Sequence, residues 1–194
     1  PGTRCALEHG GAAPVVVAAD VDLERLVPSL TKGGFYHAGQ VCVSVQRVFA
    51  DSNIAREVAQ KIAEKAKKLF VGDPTDASTE VGPLIRHRET DRVEAWVNEA
   101  VAAGAEVLCG GKRISDSCFE ATVLLNPPSD CKVSQAEIFG PVVCVYSVEN
   151  VDAAIARAND VPFSFQASVF TKSIDTAMRS YRRLNASAVM INEH

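Results

Sequence analysis

Apolar positions along the chain switch repeatedly between the dense or alternating runs of strands and the three- and four-residue spacing of helices. Ala13 to Ala18 is a short run rich in β-branched residues and reads as a buried strand. Asp20 or Asp22 is placed to cap a helix whose Leu23, Leu26, Val27 and Leu30 fall at helical spacing. Pro28 lies inside that pattern and is expected to kink it, since it cannot donate to the carbonyl one turn back. The helix is expected to end near Gly33-Gly34 or to run on irregularly to Gly39. Val43 to Ala50 reads as the next strand. Ser52 or Asn53 then caps an amphipathic helix through Lys68, with Ile54, Val58 and Ile62 on one stripe. Its lysines, Lys61, Lys65, Lys67 and Lys68, form a solvated face biased toward the helix C-terminus.

Gly72-Asp73-Pro74 is a turn, and residues 75 to 85 read as an irregular loop. Glu89 to Ala103 has a helical period with Val93, Trp96, Val97, Ala100 and Val101 inward. Glu106 to Cys109 and Ala121 to Leu125 are short strands, the second ended by Pro127-Pro128. Gly110-Gly111-Lys112-Arg113 lacks the spacing and the Ser or Thr of a phosphate loop and is read as a surface turn. Val142 to Val148 is an apolar strand, and Val151 to Ala158 a helix with Ile155 inward. Gln166 to Phe170 is a strand, Ser173 caps a helix through Arg183, and Ala188 to Ile191 is a last strand. Repeated alternation of strand and helix predicts a three-layer α/β/α sandwich with a mainly parallel sheet.

Composition narrows the function more than the fold. A chain of 194 residues, 47% hydrophobic and 23% charged, can bury a core without staples. Its net charge of −4 argues against a nucleic-acid partner. The six cysteines, at 5, 42, 109, 118, 131 and 144, show no paired spacing of a zinc site or disulfide framework. A reducing, cytoplasmic location and no metal are expected. No apolar run is long enough to span a bilayer, so no membrane partner is expected.

One stretch concentrates the chemistry: Phe35-Tyr36-His37-Ala38-Gly39-Gln40-Val41-Cys42. Gly39 allows a tight turn, which presents Cys42 at an element end, where a side chain can face a cleft. A cysteine attacks carbon as its thiolate, and needs a base, a positive field or aligned N–H groups. Lys32 and Arg47 are the nearest cations in sequence.

The pattern F-x-x-x-G-Q-x-C resembles the active-site segment of the aldehyde dehydrogenase superfamily. Leu7-Glu8-His9-Gly10-Gly11, before the cysteine, and Glu137-Ile138-Phe139-Gly140-Pro141-Val142, after it, keep the family's order and spacing. The resemblance runs over essentially the whole chain and includes Val71-Gly72-Asp73-Pro74 and Val169-Phe170-Thr171. His9 departs from the family, which more often has an apolar residue there. The resemblance implies an NAD(P)-dependent aldehyde dehydrogenase. Cys42 would be the nucleophile, forming a thiohemiacetal and then a thioester, with its own N–H donating to the oxyanion. Glu8 would be the base, and Glu137 and Phe139 would contact the ribose and nicotinamide of NAD or NADP. It also implies a small aldehyde substrate, of the lactaldehyde or succinate-semialdehyde kind, and a homodimer or homotetramer.

Residues 1–194 would then be the catalytic domain, as a fragment lacking the nucleotide-binding and oligomerisation segments. The chain starts at Pro1, carries no initiating Met, stops at Asn192-Glu193-His194 and has no dinucleotide-binding glycine motif. The fragment alone is expected to bind neither cofactor well. Two other readings are a cysteine-dependent thioester hydrolase without hydride transfer and a non-catalytic interaction domain that keeps the fold.

Overall fold

The computed structural model describes residues 2–5 and 10–194, so Leu7, Glu8 and His9 lie outside it. Among the described residues seven strands form one sheet. They are β1 (Pro14–Val17), β2 (Arg47–Asp51), β3 (Glu106–Cys109), β4 (Thr122–Leu125), β5 (Val142–Val148), β6 (Gln166–Phe170) and β7 (Ala188–Ile191). Their order is β3-β4-β5-β2-β1-β6-β7, and every pairing is parallel except β3 with β4. The helices are α1 (Leu23–Phe35), α2 (Ala55–Ala66), α3 (His87–Ala102), α4 (Lys132–Gln135), α5 (Val151–Ala158) and α6 (Ile174–Arg183).

The sheet is covered on both faces, as the alternation of elements predicts. Gly34 of α1 abuts Val143 of β5, while Arg157 of α5 lies over the Tyr146 ring. Val143 and Tyr146 are three residues apart on one strand, so their side chains leave opposite faces. Central strands buried on both sides read as continuous apolar runs, which is why β5 is Val-Val-Cys-Val-Tyr-Ser-Val. Val58, Ala59 and Ile62 of α2 and Val48 and Val145 of the sheet are wholly buried, each large one stabilising the fold by roughly 1.5–3 kcal/mol.

Helix starts follow from side-chain oxygens meeting unpaired N–H groups. Asp22, Asn150 and Ser173 accept from Glu24, Ala153 and Thr176 at the starts of α1, α5 and α6. Three expectations are corrected. α2 begins after Ile54 with no side-chain cap, because the Asp51 carboxylate takes the Asn53 N–H at 3.0 Å and turns the chain first. Val101 is 40% exposed; Val93, Val97 and Ala100 already fill the inward face of α3. The strand expected from Val43 starts only at Arg47, because the backbone before it bonds elsewhere: Ser44 N–H to Val41 and Val45 N–H to Gly33. The four-residue α4 was not foreseen; it is too short to show a period. Trp96 is partly buried against the core, with the Arg92 guanidinium 4.6 Å above its ring. Among the described residues, no helix is long and apolar enough to cross a membrane.

Candidate active site

The three motif segments are far apart in sequence, but the sheet order brings them together. Gly10-Gly11 precedes β1, the cysteine segment precedes β2, and Glu137–Phe139 precedes β5. These strands are neighbours, in the order β5-β2-β1, and parallel. The segments therefore gather at one rim, the amino ends of the central strands.

Between α1 and Cys42 the chain makes a left-handed turn. His37, Ala38 and Gly39 have φ of 50°, 55° and 69° in succession. The conformation is natural only for Gly39; at His37 and Ala38 it stores strain, and such strain clusters at functional sites. Gly39 also lies against the Gly140 carbonyl, where a side chain would collide. Gly39→Ala is thus expected to cost about 2 kcal/mol or more of stability, measurable by urea denaturation; a loss under about 0.5 kcal/mol would show that the two loops separate freely.

Gln40 holds the turn from its side chain. Its Nε2 donates to the carbonyls of His37 and Pro83, both at 3.1 Å, and its Oε1 accepts the Ile85 N–H at 2.9 Å. Cys42 follows in the next turn, half-buried. The Tyr36 hydroxyl has a raised pKa, from burial first and from the nearby Cys42 second. Beside the cysteine segment opens a cleft of about 480 Å³ lined by His37, Gln40, Val41, Pro83, Ile85 and Phe139. The Arg47 guanidinium does not serve this site; its donors are committed to the carbonyls of Ala12, Arg157 and Ala158.

Glu137 and Phe139 come to the same rim. Gly11, Gly39, Val41, Glu137 and Phe139 border one small cavity. The Glu137 carboxylate rests on Gly10, where a Cβ would come within 2.5 Å of its Oε2. It accepts the Gly11 N–H, yet its Oε1 is buried with no partner among the described residues. Its pKa is raised, chiefly by burial, against the opposing pull of the Gly11 N–H and of Arg92. The ionised carboxylate therefore costs the fold stability at neutral pH, and that cost fades as pH falls through the raised folded value toward the ordinary 4.5. Glu137→Gln is expected to be mildly stabilising at pH 8 and to lose that advantage near pH 4.5, read from thermal unfolding at the two pH values. A larger destabilisation at pH 8 than at pH 4.5 would contradict this.

Phe139 is 40% exposed and has φ of 48°, so its ring is presented at the surface and not packed in the core. Glu8 lies outside the described residues. Two side chains that position the site escaped the sequence reading: Gln46, buried among backbone groups around Glu137, and Arg92, whose Nη2 donates to the Ile138 carbonyl at 2.6 Å. A glutamine within the strand expected over Val43 to Ala50 was the one signal for the first.

The aldehyde dehydrogenase family profile matches residues 1–194. The chain is 38% identical to the 3-sulfolactaldehyde dehydrogenase of Priestia aryabhattai, over 98% of this chain and 40% of that one. It is equally identical, with the same coverage, to aspartate-semialdehyde dehydrogenase 1 of Pseudomonas canavaninivorans. Among solved structures it superposes on the glyceraldehyde-3-phosphate dehydrogenase of Methanocaldococcus jannaschii complexed with NADP, at a TM-score of 0.90 and 35% identity, covering 95% of this chain and 40% of that one. It also superposes on the betaine aldehyde dehydrogenase of Staphylococcus aureus in complex with NAD+, at 0.89 and 35%, covering 95% and 38%. The chain thus spans about 40% of the length of the curated relatives it matches. A matching profile over its whole length, and a fold shared with these enzymes at a third of identical residues, make this chain a member of the aldehyde dehydrogenase family.

Proposed function

We propose that residues 1–194 form the catalytic domain of an NAD(P)-dependent aldehyde dehydrogenase, completed by a nucleotide-binding domain outside this chain. The observation that carries the reading is the convergence of the Gly10-Gly11, Gly39–Cys42 and Glu137–Phe139 segments at one rim of the sheet.

The Cys42 sulfur would attack the aldehyde carbon, forming a C–S bond while the Cys42 backbone N–H donates to the oxygen. The turn before Cys42 fixes that N–H in advance, which is how an oxyanion donor lowers a barrier without reorganising. When bound, the nicotinamide supplies the acceptor for the hydride of that carbon. Glu8 would take a proton from the water that attacks the thioester, releasing the acid and regenerating the thiol. The Glu137 Oε1, without a partner among the described residues, suits two hydroxyl donors such as a ribose diol, and the exposed Phe139 ring suits a flat heterocycle. Glu137 and Phe139 would thus hold the ribose and nicotinamide end of NAD or NADP.

The substrate we infer is a small polar aldehyde, in line with the sulfolactaldehyde and aspartate-semialdehyde enzymes among the relatives. A cytoplasmic homodimer or homotetramer, without nucleic-acid or membrane partners, completes the reading. The test is the complete enzyme assayed with short aldehydes, with and without a carboxylate or sulfonate, against NAD+ and NADP+. Reduced cofactor is expected with at least one pair; none with any pair overturns the proposal. Calorimetric titration of residues 1–194 alone should show only weak binding of either cofactor, since most of the dinucleotide would find no partner on this domain.

A further inference from the structure

Gln46 is 5% exposed, and its side-chain hydrogen bonds go to one short segment about ninety residues away. Its Nε2 donates to the Val133 carbonyl at 3.1 Å and the Ala136 carbonyl at 2.7 Å. Its Oε1 accepts the Ile138 N–H at 2.8 Å. The last two partners are the residues immediately before and after Glu137. On its own chain, Gln46 stands four residues after Cys42 and one before β2, and its carbonyl accepts the Cys144 N–H of β5 at 2.8 Å. One residue therefore fastens the Glu137 loop to the base of the strand that follows the nucleophile. Arg92 of α3 holds the same loop from another side through the Ile138 carbonyl.

Resting on the function proposed above, we infer that Gln46 is a positioning residue for the cofactor: it fixes the Glu137 backbone so that the carboxylate stays buried against Gly10 at the rim of the site. A carboxylate pressed on Gly10 with an oxygen lacking a partner among the described residues is a costly arrangement. It persists because the backbone on both sides is pinned. An amide side chain suits this task, since it alone presents a donor pair and an acceptor in one plane with no charge to bury. A glutamate there would set a carboxylate against the Val133 and Ala136 carbonyls, and an apolar residue would leave three backbone groups unpaired.

The test uses Gln46→Met, which keeps length and volume, and Arg92→Leu, which loosens the same loop from the half-exposed side. In the 194-residue chain, hydrogen exchange at the Ile138 amide should quicken at least roughly tenfold in Gln46→Met. The Glu137 carboxyl, followed by carbon NMR, should titrate closer to its ordinary value in Gln46→Met as its burial loosens, whereas Arg92→Leu also removes a charge that lowers it. In the complete enzyme, the Kd for NAD(P) should rise roughly tenfold in Gln46→Met and less in Arg92→Leu. The aldehyde KM and the rate of Cys42 alkylation without cofactor should stay within about twofold. Unchanged cofactor Kd in both variants, with faster Ile138 exchange, would make Gln46 a purely structural residue and overturn the inference. So would aldehyde KM and cofactor Kd rising together. If Gln46→Met fails to fold, Arg92→Leu decides by the same readouts. A wild-type enzyme that binds neither NAD nor NADP would instead remove the function on which the inference rests.

Discussion

Cys42→Ala should lower aldehyde oxidation in the complete enzyme by roughly 10³ or more, because covalent catalysis has no substitute once its nucleophile is gone. Alanine of similar bulk leaves the turn from Gly39 to Ser44 intact, so unfolding midpoints should change little. The other cysteines give an internal control. Burial pushes the Cys109 thiol up to about 11 and the Cys144 thiol up to about 12, so neither offers thiolate at neutral pH. Cys118 and Cys131 are buried too, and Cys5 is exposed near the start of the chain. Mild alkylation of the native protein should thus mark Cys42 and Cys5, and Cys42→Ala should delete one of two marks. Alanine at each of the other five positions should leave turnover within a few-fold. An enzyme still active as Cys42→Ala would refute the assignment, and loss of activity in Cys144→Ala with a normal unfolding midpoint would move the chemistry elsewhere.

The second large effect concerns stability. Arg47 opens β2 and is 2% exposed. Its Nε and Nη2 donate to the Ala12 carbonyl at 2.9 and 2.7 Å, and its Nη1 and Nη2 reach the Arg157 and Ala158 carbonyls at the end of α5 at 3.3 and 3.0 Å. The Arg157 carbonyl also accepts the Asp160 N–H at 3.3 Å, while the Ala158 carbonyl lies in a last turn that lacks intrahelical donors and takes the Arg47 Nη2. Burial lowers the Arg47 pKa to about 10, still far above neutral, so the group stays charged. Its contribution should be flat between pH 5 and 9 and change only as pH rises past about 10, where the folded state would shed the proton first and gain relative to the unfolded chain. Arg47→Met removes the charge, strips the Ala158 carbonyl of its guanidinium donor and leaves the Ala12 carbonyl with only the Ser164 hydroxyl at 3.5 Å, at a cost of about 3 kcal/mol. For a chain of this size that is a fall of roughly 6–12 °C in Tm. Arg47→Lys should recover only part of it, because an ammonium cannot span three carbonyls in a plane. A Tm within about 2 °C of the parent for Arg47→Met would show that water replaces the guanidinium without loss.

Both residues were visible in the sequence, but only one announced its role. Cys42 follows a glycine hinge within a recognisable motif. Arg47 stood only as one of the two cations nearest Cys42 in sequence, and its partners lie just before β1 and at the end of α5, up to 111 residues away. The same limit hid Gln46 and Arg92, whose bonds to the Glu137 loop span 92 and 46 residues. Local signals carried the rest. β3, β5, β6, β7, α5 and α6 are bounded by turns or caps that a short window contains. The start of β2 was misplaced because Val43-Ser44-Val45 alternates like a strand while its N–H groups bond back toward α1 and the cysteine turn. Periodicity reports which side chains are apolar, and cannot say where the backbone finds its partners.

The sheet also has a second rim. All three motif segments sit before β1, β2 and β5, at the amino ends, whereas the connections after β1 and β5 leave from the far side. A strand of five to seven residues puts roughly 17–23 Å between those rims. Lineages can therefore lengthen, shorten or decorate the far loops, such as exposed Glu149-Asn150, without renegotiating the chemistry. The near rim has no such licence, because there the backbone of Gly39 already touches that of Gly140. Drift in this protein should be written on one edge of the sheet, and memory kept on the other.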